Sequence, residues 1–257
     1  MPIRIGMAQM LVEGGNPEAN LVRAAGMIAD AGKQGCDIVV LPECLNYGWT
    51  HPSARGAAPS IPGSHCDALV EATRSANLWT IAGLVEAAGD QLYNAAVMIS
   101  PQGEIVLKHR KINELEIAHD LYSLGTSVGV AETPLGTLGL NICADNFAES
   151  LDLAGAISVM GAKLLLSPCA WAVDGDHDNE ANPYGQRWLD SYGRLSRERG
   201  MTVIGVSNVG WLDAGPWKGR KCIGRSLAMG PDGKVLARGP YGVDAEALLT
   251  VDLPDFP

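Results

Sequence analysis

Short apolar runs of β type alternate with longer helical stretches along this chain, and that alternation restricts it to an α/β fold. Strands are expected over Ile3 to Met10, Asp37 to Leu41, Leu78 to Val85, Tyr93 to Ser100, Gly136 to Ile142, Lys163 to Ser167, Thr202 to Ser207 and Ser226 to Met229, with a further strand-like run at Ala247 to Val251. Helices are expected over Asn16 to Gln34, Ser64 to Ala76, Ala148 to Met160 and Gly185 to Arg199. In the first of these, Pro17 suits the opening turn and Gly35 the C-terminal cap. Two segments, Met98-Ile99-Ser100-Pro101-Gln102-Gly103-Glu104-Ile105-Val106 and Met229-Gly230-Pro231-Asp232-Gly233-Lys234-Val235, read as strand, Pro-x-Gly turn, strand. Antiparallel hairpins among βα alternations argue for a mixed sheet, or two packed sheets with helices outside, and against a purely parallel doubly wound fold.

With 257 residues, 47% of them hydrophobic and 19% charged, the chain can bury the core of one large domain, read here as residues 1–257. A formal charge of -10 disfavours nucleic acid and anionic membranes, because neutralising phosphate needs clustered Lys and Arg. The chain enters an apolar strand at Ile3 without a signal-like segment, and no apolar run approaches the roughly 20 residues of a membrane span. A cytoplasmic protein acting on a small molecule is the expectation. Six cysteines without CxxC spacing are expected as reduced thiols.

One of those thiols is placed for chemistry. The run Leu138-Gly139-Leu140-Asn141-Ile142-Cys143-Ala144-Asp145-Asn146 ends a strand-like segment in Cys143 followed by small and polar residues, which puts a nucleophile at the mouth of a sheet. Ile38-Val39-Val40-Leu41-Pro42-Glu43 delivers a carboxylate after a buried strand, and Lys108-His109-Arg110-Lys111 delivers a cation. A neighbouring ammonium lowers a thiol pKa, and a carboxylate can accept the proton, so Glu43, Lys111 and Cys143 form a candidate triad. Lys111 and the Ala144 backbone N–H are candidates for stabilising an oxyanion. The five histidines show no HExxH or Cys/His metal spacing, so a zinc site is not expected.

These blocks, in this order, resemble the nitrilase superfamily of carbon-nitrogen hydrolases. Supporting resemblances are Ile5-Gly6-Met7-Ala8-Gln9, Ser167-Pro168-Cys169-Ala170-Trp171, Val206-Ser207-Asn208 and Gly224-Arg225-Ser226. The resemblance implies a four-layer αββα sandwich of two mixed β-sheets flanked by helices, dimerised or further assembled, with no metal or organic cofactor. It implies Glu43 as general base, Lys111 as the cation at the tetrahedral intermediate and Cys143 as nucleophile. Many members carry a second glutamate after the lysine, and here Glu114 and Glu116 both qualify, with Glu114 slightly favoured. The chain ends at Pro257 soon after its last strand-like run, without the long tail of filament-forming nitrilases, so a closed homodimer is the simplest expectation.

Substrate choice is less sharply written. Nitrile-cleaving relatives typically place Trp-Glu after the nucleophile, whereas Ala144-Asp145 resembles the amidase and carbamoyl-amidase branches. Many carbamoyl-cleaving relatives continue with a Pro that Asn146-Phe147-Ala148-Glu149 lacks. The expected activity is hydrolysis of a small amide to acid plus ammonia or amine through a Cys143 thioester. The alternatives are an N-carbamoyl amidohydrolase, a nitrilase, or a catalytically weak binding or regulatory protein. Tyr47, Trp49, Asp145, Asn146, Cys169 and Trp171 are candidate pocket residues. Two aromatic, Gly-rich stretches, Asn46 to Trp49 and Gly210 to Trp217, read as loops at the rim, and the acidic loop 174–180 reads either as a solvated loop or as a binder of a cationic tail.

Overall fold

The computed structural model describes residues 2–254; Met1 and Asp255 to Pro257 lie outside the described residues. Fifteen strands are described: β1 (Ile3–Gln9), β2 (Ile38–Val40), β3 (Trp79–Ala88), β4 (Gln91–Ile99), β5 (Ile105–Arg110), β6 (Val130–Thr133), β7 (Gly136–Leu140), β8 (Leu164–Cys169), β9 (Ala172–Val173), β10 (Thr202–Ser207), β11 (Val209–Trp211), β12 (Lys221–Ile223), β13 (Leu227–Met229), β14 (Val235–Arg238) and β15 (Ala247–Leu253). The helices are α1 (Pro17–Lys33), α2 (Ser64–Ala76), α3 (Leu151–Val159) and α4 (Gln186–Arg199).

The strands form two six-stranded sheets, ordered β15-β1-β2-β3-β4-β5 and β14-β13-β10-β8-β7-β6. Side chains of the first sheet divide by parity, as a strand buried on both faces requires. Ile38, Val40, Ala96 and Met98 enter the core between the sheets, while Val39, Leu41, Ala95 and Val97 pack with Ile28 of α1 and Leu69 of α2. On the second sheet the inter-sheet core continues through to Ile157 of α3 and to Trp188 and Leu195 of α4. The result is the αββα sandwich.

The two sheets repeat one pattern. From β15 to β5 the pairings run antiparallel, parallel, parallel, antiparallel, antiparallel, and from β6 to β14 they run the same way. The two Pro-x-Gly hairpins, β4–β5 and β13–β14, occupy equivalent positions, and each carries a register shift, at Met98/Ile99 and at Ala228/Met229. Leu41-Pro42-Glu43, just after β2, and Ser167-Pro168-Cys169, the end of β8, are thereby also equivalent, and they meet where Glu43 N–H donates to the Cys169 carbonyl at 3.1 Å.

Local chemistry accounts for most boundaries. Asn16 caps α1 through Ala19 N–H, and α2 ends on Asn77 in the left-handed region. α3 starts at Leu151 rather than Ala148, because Ser150 Oγ donates to the Ala144 carbonyl at 2.8 Å and folds residues 147–150 back onto the preceding turn. β6, β9, β11 and β12 were not expected; each has two to four residues, too few for a period to show. β11 covers part of a stretch read as loop, and with β9 and β12 it forms a small third sheet.

Gly83 of β3 lies directly beneath the loop that carries Glu43. A Cβ there would stand 2.6 Å from Glu43 Cα and 2.8 Å from the Pro42 carbonyl oxygen, both backbone atoms. Gly83→Ala is therefore expected to lower stability by about 1–3 kcal/mol in thermal denaturation and to shift Glu43. A neutral melt would show that this loop yields freely.

Candidate active site

Lys111 follows β5, which buries its side chain between the sheets, and only 2% of its surface remains exposed. Burying an ammonium is costly unless carboxylates and hydrogen bonds replace water. Two do so here. Lys111 Nζ lies 2.7 Å from Glu43 Oε1 and 3.1 Å from Glu114 Oε1. Asn94 of β4 donates to both carboxylates, at 2.6 Å to Glu43 Oε1 and 2.9 Å to Glu114 Oε2. Of the two glutamates behind Lys111, the structure brings Glu114 to it and leaves Glu116 exposed. Asn94 was missed in the sequence; its signal is an amide in the middle of the apolar run of β4.

Cys143 begins a short 3-10 turn, Cys143–Asn146, immediately beyond β7. Its φ of +44° is strained for a residue with a Cβ, so neighbouring bonds must hold it. Cys143 N–H donates to Ser167 Oγ at 3.0 Å, and the Asn146 side chain pairs reciprocally with Asn141 and also donates to Ser167 Oγ. Asp145 does the larger share. Its carboxylate accepts from Ile142 N–H at 3.0 Å, from Asn113 N–H at 2.8 Å, from Ile112 N–H at 3.1 Å and from His109 Nε2 at 2.8 Å. It ties the turn of Cys143 to the segment that carries Lys111.

These environments set the protonation states. Burial opposes the charge on Lys111, but Glu114 and Glu43 outweigh it and hold the ammonium well above its usual pKa. Burial raises Glu43 above its usual value, with Lys111 and Asn94 opposing the rise and Glu114 adding to it. The Cys143 thiol departs from the sequence expectation. Lys111 does pull it down, yet burial, Cys169 and Glu43 together push it well above the ordinary thiol value. That direction favours a Cys143 thiol over a preformed thiolate.

Glu43, Lys111, Cys143 and Ala144 open onto one cavity of about 500 Å³. Among the described residues, Ala144 N–H has no hydrogen-bond partner. Of the expected pocket residues, Trp49 and Trp171 line the cavity. Tyr47 does not, because its hydroxyl donates to the Ala57 carbonyl at 2.8 Å and its ring packs on His65. Asp145 and Asn146 belong to the Cys143 turn itself, with buried side chains that do not line the cavity, and Cys169 is buried with its Sγ 3.3 Å from the Ser167 carbonyl. Trp217, from the expected rim stretch Gly210 to Trp217, also lines the cavity, whereas Phe147, Tyr184, Arg187, Trp188 and Arg220 line it without having been foreseen. They come from segments that a linear reading has no reason to join. Among the described residues, no three His, Cys, Asp or Glu side chains form a metal-ligand set, and no helix is long and apolar enough to cross a membrane.

A sequence model of the carbon-nitrogen hydrolase family matches residues 4–255, and the chain belongs to that family of hydrolases. The omega-amidase NIT2 of Bos taurus is 34% identical over 179 residues, 65% of this chain. The match spans 63% of that relative's length. A nitrilase of Pyrococcus abyssi is 27% identical over 257 residues, covering 98% of this chain and 90% of that protein. Among solved structures, a carbon-nitrogen hydrolase from Helicobacter pylori G27 superposes with a TM-score of 0.86 at 22% identity, over 98% of this chain and 89% of that one. A variant of the amidase of Nesterenkonia sp. AN1, with acrylamide added at its active-site cysteine, superposes with a TM-score of 0.79 at 23% identity, over 98% and 93%. Both share the fold.

Asp145 gives a direct test of how the turn is held. Burial raises its pKa, but the hydrogen bond and charge of His109, the Asn113 N–H and the charge of Lys111 outweigh that and hold the carboxyl below its usual value. A lowered folded-state pKa means its stabilisation is present above the unfolded value, near 3.9, and is lost as pH falls through the folded one. Asp145→Asn places an NH₂ where at least one N–H donor needs an acceptor, and is expected to cost about 3–5 kcal/mol at pH 7 by denaturant unfolding. The gap between variant and wild type should narrow on acidification below pH 4. A constant gap would remove the charge from the account.

Proposed function

We propose that this enzyme hydrolyses a small amide to a carboxylic acid and ammonia or amine through a thioester on Cys143, with Glu43 as general base and Lys111 as the fixed cation. The observation that carries this reading is the buried Glu43–Lys111–Glu114 cluster opening, with Cys143, onto one cavity. Glu43 takes the thiol proton as sulfur bonds to the amide carbon, and the carbonyl π pair moves to oxygen. Ala144 N–H and Lys111 are the donors for that oxyanion. Collapse breaks the C–N bond, and the leaving nitrogen takes the proton from Glu43, giving the thioester. Water then loses a proton to Glu43 and attacks the thioester carbon; the C–S bond breaks and the proton returns to sulfur.

The raised thiol makes base transfer, rather than a resting thiolate, the route to the nucleophile. Glu114 and Asn94 hold Lys111 and Glu43 in place without taking the proton. The omega-amidase relative supports an amide as substrate.

Cys143→Ala is expected to abolish ammonia release, by more than about 10⁴-fold, in a protein that keeps its circular dichroism. Full turnover by that folded variant would refute the mechanism. Acid quenching during turnover should place the acyl mass on the Cys143 peptide.

The pH profile tests the base. Glu43 must be deprotonated, and its pKa lies above the usual carboxylate value, so kcat/KM should rise with pH along an acid limb displaced upward from about 4.3. Glu43→Gln should lose about 10²- to 10⁴-fold and flatten that limb. An unchanged limb would assign it to another group.

A further inference from the structure

Among the charged side chains that line the cavity, Glu43 and Lys111 hold each other, and the two that remain, Arg187 and Arg220, are both cationic. In a chain of net charge -10 this local reversal is a property of the site. The acidic loop 174–180 does not supply a counter-charge inside the cavity. Asp174, Asp176, Asp178 and Glu180 are exposed, Asp174 lies 2.8 Å from Arg220, and Asp178 accepts from the N–H groups of Glu180 and Ala181. A cationic substrate tail has nothing to meet here. An exposed pair such as Arg220–Asp174 is weak enough to rearrange around a competing anion.

The rim is also the start of α4. Gly185 opens that helix without a side-chain cap and lines the cavity, and the first turn carries Arg187 and no acid. Uncapped N–H groups and a guanidinium of the same sign at a helix N-terminus repel each other, and a bound anion relieves that repulsion. Among the described residues, Arg187 has no carboxylate within 4 Å; its guanidinium lies 4.7 Å over the Phe147 ring.

A third observation concerns the walls. Trp49 and Trp171, 4% and 2% exposed, line the cavity, and neither indole N–H has a hydrogen-bond partner among the described residues. Buried donors of this kind normally have a partner, which a ligand acceptor supplies. Trp171 stacks on Trp188 at 4.7 Å, and Trp49 packs on Trp217 at 4.5 Å. Four of the chain's six tryptophans therefore border one cavity. Such walls suit a flat π-bearing body better than a flexible aliphatic one.

We infer, resting on the acyl-transfer reading of the same site, that the substrate is an aromatic amide bearing a carboxylate. Its amide carbon meets Cys143, its ring lies against the tryptophan walls, and its carboxylate is received by Arg187, Arg220 and the N-terminus of α4. A cavity of about 500 Å³ is ample for one substituted ring.

The test compares kcat/KM for 4-carbamoylbenzoate, benzamide and succinamate by ammonia release. In the wild type, 4-carbamoylbenzoate should exceed each of the other two by about ten- to a hundredfold, and its lead over benzamide should shrink with added salt. The double variant Arg187→Gln/Arg220→Gln should bring the 4-carbamoylbenzoate to benzamide ratio close to one, through KM, while Arg187→Lys keeps part of it. Equal rates in the wild type, or a ratio that survives the double substitution, would overturn the carboxylate site; a preference for succinamate would overturn the aromatic body. Terephthalate binding to Cys143→Ala, read by quenching of tryptophan fluorescence, separates this inference from the chemistry beneath it. Binding lost with the two arginines supports the site even where turnover fails, and no binding overturns it even where turnover succeeds.

Discussion

An ammonium held almost out of water between two carboxylates sets the terms for the rest of this molecule. Lys111, Glu43 and Glu114 arrive from the ends of separate strands and the segment beyond one of them, and their mutual distances are those of hydrogen bonds. Each charge alone would be strongly unfavourable at that depth, so the cluster tolerates the loss of no single member. Asn94 completes it by giving both carboxylates a donor from the floor of the sheet. The sandwich must close before the cluster exists, and the cluster in turn penalises any packing that separates its parts. Structure and chemistry share one set of contacts here.

The repeated sheet pattern explains where the cavity falls. Equivalent Pro-containing segments at the ends of β2 and β8 meet through the bond from Glu43 N–H to the Cys169 carbonyl. One segment leads to Trp49 and the other to Trp171, so the two aromatic walls arise from corresponding places in the two halves. The halves differ at these positions: Glu43 stands in one segment where Cys169 stands in the other. A near-symmetric frame thereby carries an asymmetric site, with Asp145 as the brace that joins the nucleophile turn to the Lys111 segment.

Cys143 sits in a backbone conformation that costs free energy and in surroundings that keep its proton on. Under the proposed mechanism the second feature places the burden of activation on Glu43, whose own pKa is raised above its usual value. A preformed thiolate would need the pull of Lys111 to prevail, and burial, Cys169 and the charge of Glu43 together outweigh it.

Several features were legible in the chain without coordinates. Runs such as Ile38 to Leu41 and Leu164 to Leu166 are buried on both faces and announce themselves by continuous hydrophobicity; Asn16-Pro17 and Gly35 bracket α1 through local backbone preference; the Pro-x-Gly hairpins are set by φ alone. Glu43, Lys111 and Cys143 were legible because each follows such an element and their order resembles a known family. The choice of Glu114 over Glu116, the bridging role of Asn94, the upward shift of the Cys143 thiol and the cationic, tryptophan-walled cavity were decided only by the tertiary structure. Those properties depend on distances between segments far apart in sequence and on how much water each group loses. Periodicity and local preference carry no information about either quantity, because burial and charge pairing come into being only when the two sheets close on each other.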